Sequence, residues 1–184
     1  MKYLQILTLV LIGIACGDDG DGQQHSLSFQ DLDVVTGIDL TDASGALVGL
    51  WRSPNQNTGG STAFPNPAGD VVNLAVNPSS IAGIQEVLVV PATCLLDRST
   101  TDIPLKSLSL SYTRDEVASL SAKTIILDTN PSTLQLDLSD LTIGFYKVFY
   151  IATDDNLYWI NVYKDASLAG QPVLSFQALD QACD

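Results

Sequence analysis

Histidine is almost missing from this chain: His25 is the only one among 184 residues. A Ser-His-Asp triad or a zinc site would have to be assembled on that residue alone, so neither is expected. Basic residues are scarce too, with 8 Lys and Arg against 21 Asp and Glu and a formal charge of −13. That balance argues against nucleic acid, whose phosphates need clustered cations, and against electrostatic attraction to anionic lipid. There is no phosphate-binding loop and no dinucleotide fingerprint, and no cofactor is expected. A calcium loop counted from Asp19 fails, because Gln23 and Gln30 occupy its fifth and twelfth positions. Asp42, Asp128, Asp154 and Asp155 fall at turns, where aspartate is expected for backbone reasons. Cys94 as a nucleophile lacks a base. The expectation is a protein that is not an enzyme.

Apolar residues are plentiful. At 46% hydrophobic, the chain has enough for a real core and too much for disorder. Its length suits one ample domain or two small ones. Lys2 supplies a minimal positive start, and Tyr3 to Ile14 is an uncharged apolar run. About a dozen such residues fit the core of a signal peptide, whereas a membrane-spanning helix needs about 20. Gly13, Ile14 and Ala15 then precede Cys16. This stretch resembles a lipobox, with Gly13 where leucine is usual. The resemblance implies cleavage before Cys16 and lipid on its sulfur. The same three residues also form a small-x-small site for ordinary signal peptidase, which would leave Cys16 a free thiol.

The cysteine count bears on that choice. Cysteines stand at 16, 94 and 183, and an odd cysteine in an exported protein needs an explanation. With lipid on Cys16, Cys94 and Cys183 remain as one disulfide pair in an oxidising compartment. Such a bond closes most of the mature chain, worth about 4–5 kcal/mol in the chain-entropy model. The alternative is two unpaired buried thiols. Residues 16–25 read as an acidic, Gly-rich tether after a signal peptide over 1–15. Acidic residues just behind a lipidated cysteine resemble the export signal of surface lipoproteins in bacteria with type IX secretion. The implied location is the outer membrane, at the cell surface; the other reading is a plain spacer.

From residue 26 to 184 the chain reads as one all-β domain of short runs separated by turns. Predicted strands are Val34–Leu40, Ala46–Trp51, Val71–Val76, Ile84–Val90, Leu105–Tyr112, Lys123–Leu127, Thr133–Leu138, Phe145–Thr153, Leu157–Tyr163 and Val173–Ala178. Several show the period of two that marks a half-buried sheet. One short helix is expected, opened by a capping box at Thr113 and Glu116. Ser53–Asn66, rich in Pro, Asn, Gly, Ser and Thr, reads as a long loop separating an N-terminal hairpin (26–60) from the main sandwich (61–164). Residues 165–184 read as a C-terminal strand and tail.

Two segments carry a further resemblance. Phe64-Pro65-Asn66-Pro67-Ala68-Gly69-Asp70 leads into Val71-Val72-Asn73-Leu74. Leu136-Asp137-Leu138-Ser139-Asp140-Leu141 leads through Gly144 to Tyr146, a residue placed like a tyrosine corner. Together they resemble the opening and closing motifs of the type IX secretion C-terminal sorting domain, which implies an immunoglobulin-like antiparallel β-sandwich. The match covers Phe64–Val76 and Leu134–Lys164. Asn77–Thr133 carries no matching motif, and Asp165–Asp184 extends past the family's usual end.

Aromatic residues are the candidates for binding. Along Leu157–Tyr163, Trp159 and Tyr163 share one strand face with Leu157 and Asn161, while Tyr158, Ile160 and Val162 share the other. An exposed Trp159–Tyr163 stripe would stack on sugar rings or a partner protein. A covered one would lie beneath a loop or the C-terminal tail. Trp51, beside Arg52 and the Pro/Asn-rich loop, has the same two readings. The function expected is a non-enzymatic, lipid-anchored binding or scaffold module of the cell envelope, its partner a protein or glycan. Alternatives are a carbohydrate-binding surface lipoprotein, and an accessory or anchored cargo of type IX secretion.

Overall fold

The computed structural model describes residues 32–52, 54–94, 112–171 and 175–183. Cys16, the tether and His25 lie outside them. So does the predicted strand Leu105–Tyr112 apart from Tyr112, which is not in a strand.

The described residues form ten strands and two helices, and the fold is all-β. In chain order these are β1 (Val34–Val35), β2 (Ile38–Thr41), β3 (Leu47–Trp51), β4 (Thr62–Phe64), β5 (Val71–Ala75) and β6 (Ile84–Cys94). Then come α1 (Arg114–Leu120), β7 (Lys123–Ile126), β8 (Thr133–Asp137), β9 (Gly144–Ala152), β10 (Leu157–Lys164) and α2 (Ser175–Cys183).

A central sheet is built on β6, β9 and β10, which pair antiparallel in that order. The free edge of β6 takes β7 antiparallel over Glu86–Val89, and β1 parallel at Thr93 and Cys94. A second sheet, β4-β5-β8, is antiparallel, and β2 and β3 form a separate hairpin.

Alternation explains how the layers stack. Val87 and Val89 on β6, Tyr146, Val148 and Tyr150 on β9, and Ile160 and Val162 on β10 point to one side. There they meet Val72, Leu74 and Leu136 of the second sheet in the largest core cluster. The opposite face is covered as well. One end, with Leu88, Val90, Phe149 and Trp159, packs with Leu32 and Val117 of α1. The other end, with Phe145 and Tyr163, packs with β1, the β2–β3 hairpin and α2. Bulky residues on both faces of β10 therefore both find cores.

Three stretches depart from their sequence-based expectation. Val34–Leu40 is two strands, because Asn55 Oδ1 accepts from Thr36 N (3.1 Å) and its Nδ2 donates to Val34 O (2.9 Å), replacing a strand neighbour. The stretch read as a loop over Ser53–Asn66 contains β4, which pairs with β5. The predicted C-terminal strand over Val173–Ala178 is wrong: from Ser175 on the chain is helix, making two helices instead of one. The reason is its period, since Ser175, Leu179 and Cys183 recur every fourth residue and form its buried stripe.

Other expectations are met. Thr113 and Glu116 form the reciprocal capping box of α1. Tyr146 Oη donates to Thr142 O at 2.8 Å, the bond of a tyrosine corner. Cys94 and Cys183 are joined as a disulfide. Not expected from the sequence, the Phe64–Pro65 and Asn66–Pro67 peptide bonds are both cis.

Candidate functional site

The hairpin β2–β3 and helix α2 lie together over one end of the central sheet. The hairpin turn is set by Asp42, whose Oδ1 accepts from Ser44 N (2.8 Å), Ser44 Oγ (2.6 Å) and Ala46 N (3.1 Å). Those donors hold the Asp42 carboxyl below its ordinary range, Ser44 contributing most. Gly45 takes φ +86°, and a β-carbon there would also press on the Phe64 ring at 3.1 Å.

The hairpin is docked by buried amides. Asn66 Nδ2 donates to Asp39 O (2.9 Å) and Asn161 O (3.0 Å), while its Oδ1 accepts from Tyr163 N (3.1 Å). Asn161 Nδ2 in turn donates to Gly37 O and to Asn55 Oδ1, both at 2.9 Å. These contacts join β2 to the edge of β10, where the two strands do not pair. Burial raises the Asp39 carboxyl above its ordinary range, an effect partly offset by a hydrogen bond from Gln56.

Trp51 and Tyr163 are brought together, and Phe145 lies between them. Its ring centroid is 5.6 Å from Trp51 and 4.7 Å from Tyr163. The Arg52 guanidinium sits 4.6 Å above the Trp51 ring. Leu179 and Cys183 of α2 close the cluster, and Trp51 Nε1 donates to Asp180 Oδ1 at 3.1 Å. Burial, with a smaller contribution from Asp165, raises the Tyr163 hydroxyl.

Trp159 lies apart. Its Nε1 donates to Asn55 O at 2.9 Å, and Tyr112 meets its ring edge-on at 5.0 Å. Trp51, Trp159 and Tyr163 are all buried. Of the two readings of the Trp159–Tyr163 face, the covered one holds and the open stripe does not: α2 covers one end of that face, and Tyr112 and the Asn55 loop cover the other. None of the three rings offers a sugar a free face to stack on.

What is open lies alongside. Ala46-Leu47-Val48-Gly49-Leu50-Trp51 contains no charge. Leu47 is 62% exposed and Leu50 53%, with Val48 exposed between them. Phe176, exposed on α2, approaches so closely that a β-carbon on Gly49 would lie 3.7 Å from its ring. Among the described residues no strand pairs with the outer edge of β3. An uncharged, apolar strand with an unpaired edge is a template for a further strand, and folds commonly guard such edges with charge, proline or a cover. The charge-free run is visible in the sequence, but the unpaired edge that makes it a site is not. Among the described residues no three metal-ligating side chains come together.

No family model, curated protein or solved structure matches this chain.

Proposed function

We propose that this chain is a lipid-anchored, non-enzymatic binding module of the bacterial cell envelope that docks a protein partner by strand addition to the outer edge of β3. The observation carrying this reading is the apolar, uncharged β3 edge with Phe176 beside it. Backbone hydrogen bonds along an edge supply affinity in strand addition, and alternate side chains supply selectivity. The partner chemistry that fits is an extended, apolar segment without acidic residues, because the edge itself carries no charge and a chain of net charge −13 repels acidic partners. The anchor is supported by cysteine arithmetic: of three cysteines, 94 and 183 bond each other, leaving Cys16 for lipid.

Fatty-acid labelling of the wild type, lost in Cys16→Ser, tests the anchor; labelling that survives the substitution contradicts it. Protease shaving of intact cells tests the location, with loss of the domain expected at the outer surface. For docking, a partner co-purifying with the wild type should be lost with Leu50→Lys and kept with Ile126→Lys, an exposed apolar site on β7. Equal loss in both variants would reduce the β3 edge to general stickiness.

A second reading has its own observation. The Tyr146–Thr142 bond supports the immunoglobulin-like, sorting-domain resemblance, and with it a role as anchored cargo of type IX secretion. Unchanged export in cells lacking that machinery would end it.

A further inference from the structure

We infer that α2 is a redox-released cover: the Cys94–Cys183 disulfide holds it over a preformed aromatic groove, and reduction lets it swing away while the sheets stay folded. The groove is made without α2. Phe145 and Tyr163 belong to β9 and β10, Trp51 to β3, and Ala92 and Cys94 to the end of β6. Each of these is fixed by its own strand pairing.

The non-covalent hold on α2 is thin. It has nine residues, too few to persist as a helix without support. It buries one stripe, Ser175, Leu179 and Cys183, in which Leu179 is the single large aliphatic side chain. Of its polar contacts, two meet at Asp180, with Trp51 Nε1 at 3.1 Å and Arg52 Nη2 at 3.2 Å. Arg52 Nη1 also reaches the disulfide sulfur of Cys183 at 3.7 Å, and Ser175 Oγ donates to the nearby Gln171 O at 3.0 Å. The Asp180 side chain is 61% exposed, so water competes for both of its contacts. The covalent link sits in the last turn and ties the helix to β6, 89 residues away in sequence. Nothing in the β-sheet pairing depends on α2, so its departure need not propagate.

The chemistry is thiol–disulfide exchange. A thiolate of an external dithiol attacks one sulfur of the bond, and the other sulfur leaves as a thiolate and is protonated. The second thiol of the reductant then resolves the mixed disulfide, so the reductant ends oxidised and Cys94 and Cys183 end as thiols. Cys94 is the more exposed of the two residues and the favoured point of attack.

Release would bare Trp51 and carry Phe176 away from Gly49, reshaping the docking edge. That purpose rests on the proposed strand addition. The motion itself is read on the chain alone, so the two ideas fail separately.

The test is hydrogen–deuterium exchange on the full chain, before and after a dithiol reductant. Amides of residues 175–183 should exchange at least tenfold faster after reduction, while those of β9 and β10 keep their protection. Unchanged protection in α2 would overturn the inference, and so would joint loss of protection in α2, β9 and β10, which marks a structural staple. A Leu179→Ala chain serves as a second readout: α2 should stay protected when oxidised and open further when reduced. Opening of the oxidised variant would assign the hold to Leu179 instead of the disulfide.

Discussion

The indole nitrogen of Trp51 reaches Asp180 Oδ1 at 3.1 Å across 129 residues of chain, pinning the hairpin to the C-terminal helix. The contact has two unequal halves. Trp51 is 2% exposed and stacks on Phe145, whereas Asp180 faces water. Trp51→Ala is expected to cost about 3–5 kcal/mol, the range for emptying a buried aromatic site. Asp180→Ala should cost about 1 kcal/mol or less, because the bond and ion pair it removes are solvent-screened. Urea denaturation of both variants checks the ratio.

Asn66 joins elements that no ladder joins. Its side chain makes three hydrogen bonds and its backbone two more with Thr41, while the residue is fully buried. Asn66→Ala strands two carbonyls and one N–H, at about 1–3 kcal/mol each where water cannot replace the partner. A loss of about 3 kcal/mol or more is expected. Asn66→Asp should also destabilise, since a carboxylate cannot donate to Asp39 O and Asn161 O. Thermal unfolding that leaves both variants within a degree of wild type would refute this.

Much of this was legible beforehand, for definite reasons. Leu134–Leu138 and Leu157–Tyr163 alternate cleanly, and alternation is what a sheet with two distinct faces requires. The capping box at Thr113 and the turn at Asp42 are local chemistry, readable without tertiary context. The break at Thr36–Gly37 was hidden because Asn55, 19 residues from Thr36, makes it. Helix α2 was hidden because Val173–Ala178 alone is too short to separate a period of two from one of four. The stripe needs Leu179 and Cys183 to be seen. Trp51 and Tyr163 were found as candidates, but their burial depends on that helix. The open β3 edge is a property of pairing, which one strand's sequence does not contain.

Asp39 has a carboxyl whose folded value lies above its ordinary value of 3.8, chiefly through burial. The folded state therefore holds that proton more tightly than the unfolded state. Ionised Asp39 detracts from stability at neutral pH, and that cost disappears as pH falls through the window between the two values. Asp39→Asn keeps an acceptor for Gln56 and should raise stability at neutral pH. Its advantage should shrink to nothing well below pH 3.8. An advantage independent of pH, measured by denaturation from pH 3 to 7, would contradict the assignment.

Glu86 on β6 is nearly buried and receives Arg114 in a two-pronged contact, Nε to Oε2 at 2.7 Å and Nη2 to Oε1 at 2.9 Å. This anchors α1 to the central sheet. Arg114→Ala leaves a covered carboxylate without that partner and should lower stability, by less than a fully buried pair would because Arg114 itself is half exposed. Adding Glu86→Gln should recover part of it, because the remaining group is neutral. A double-mutant cycle with no coupling would show that α1 is held by its apolar contacts through Val117, Ala118 and Leu120 and not by this pair.

Docking of a partner strand on β3 can be read in living cells with a photo-crosslinking residue placed at position 48. One discrete adduct is expected from position 48 and none from position 126. Mass spectrometry should map the crosslink to an extended apolar segment, and Leu50→Lys should abolish it. An adduct that survives Leu50→Lys, or one that forms from position 126 and not from position 48, would rule out strand docking on β3.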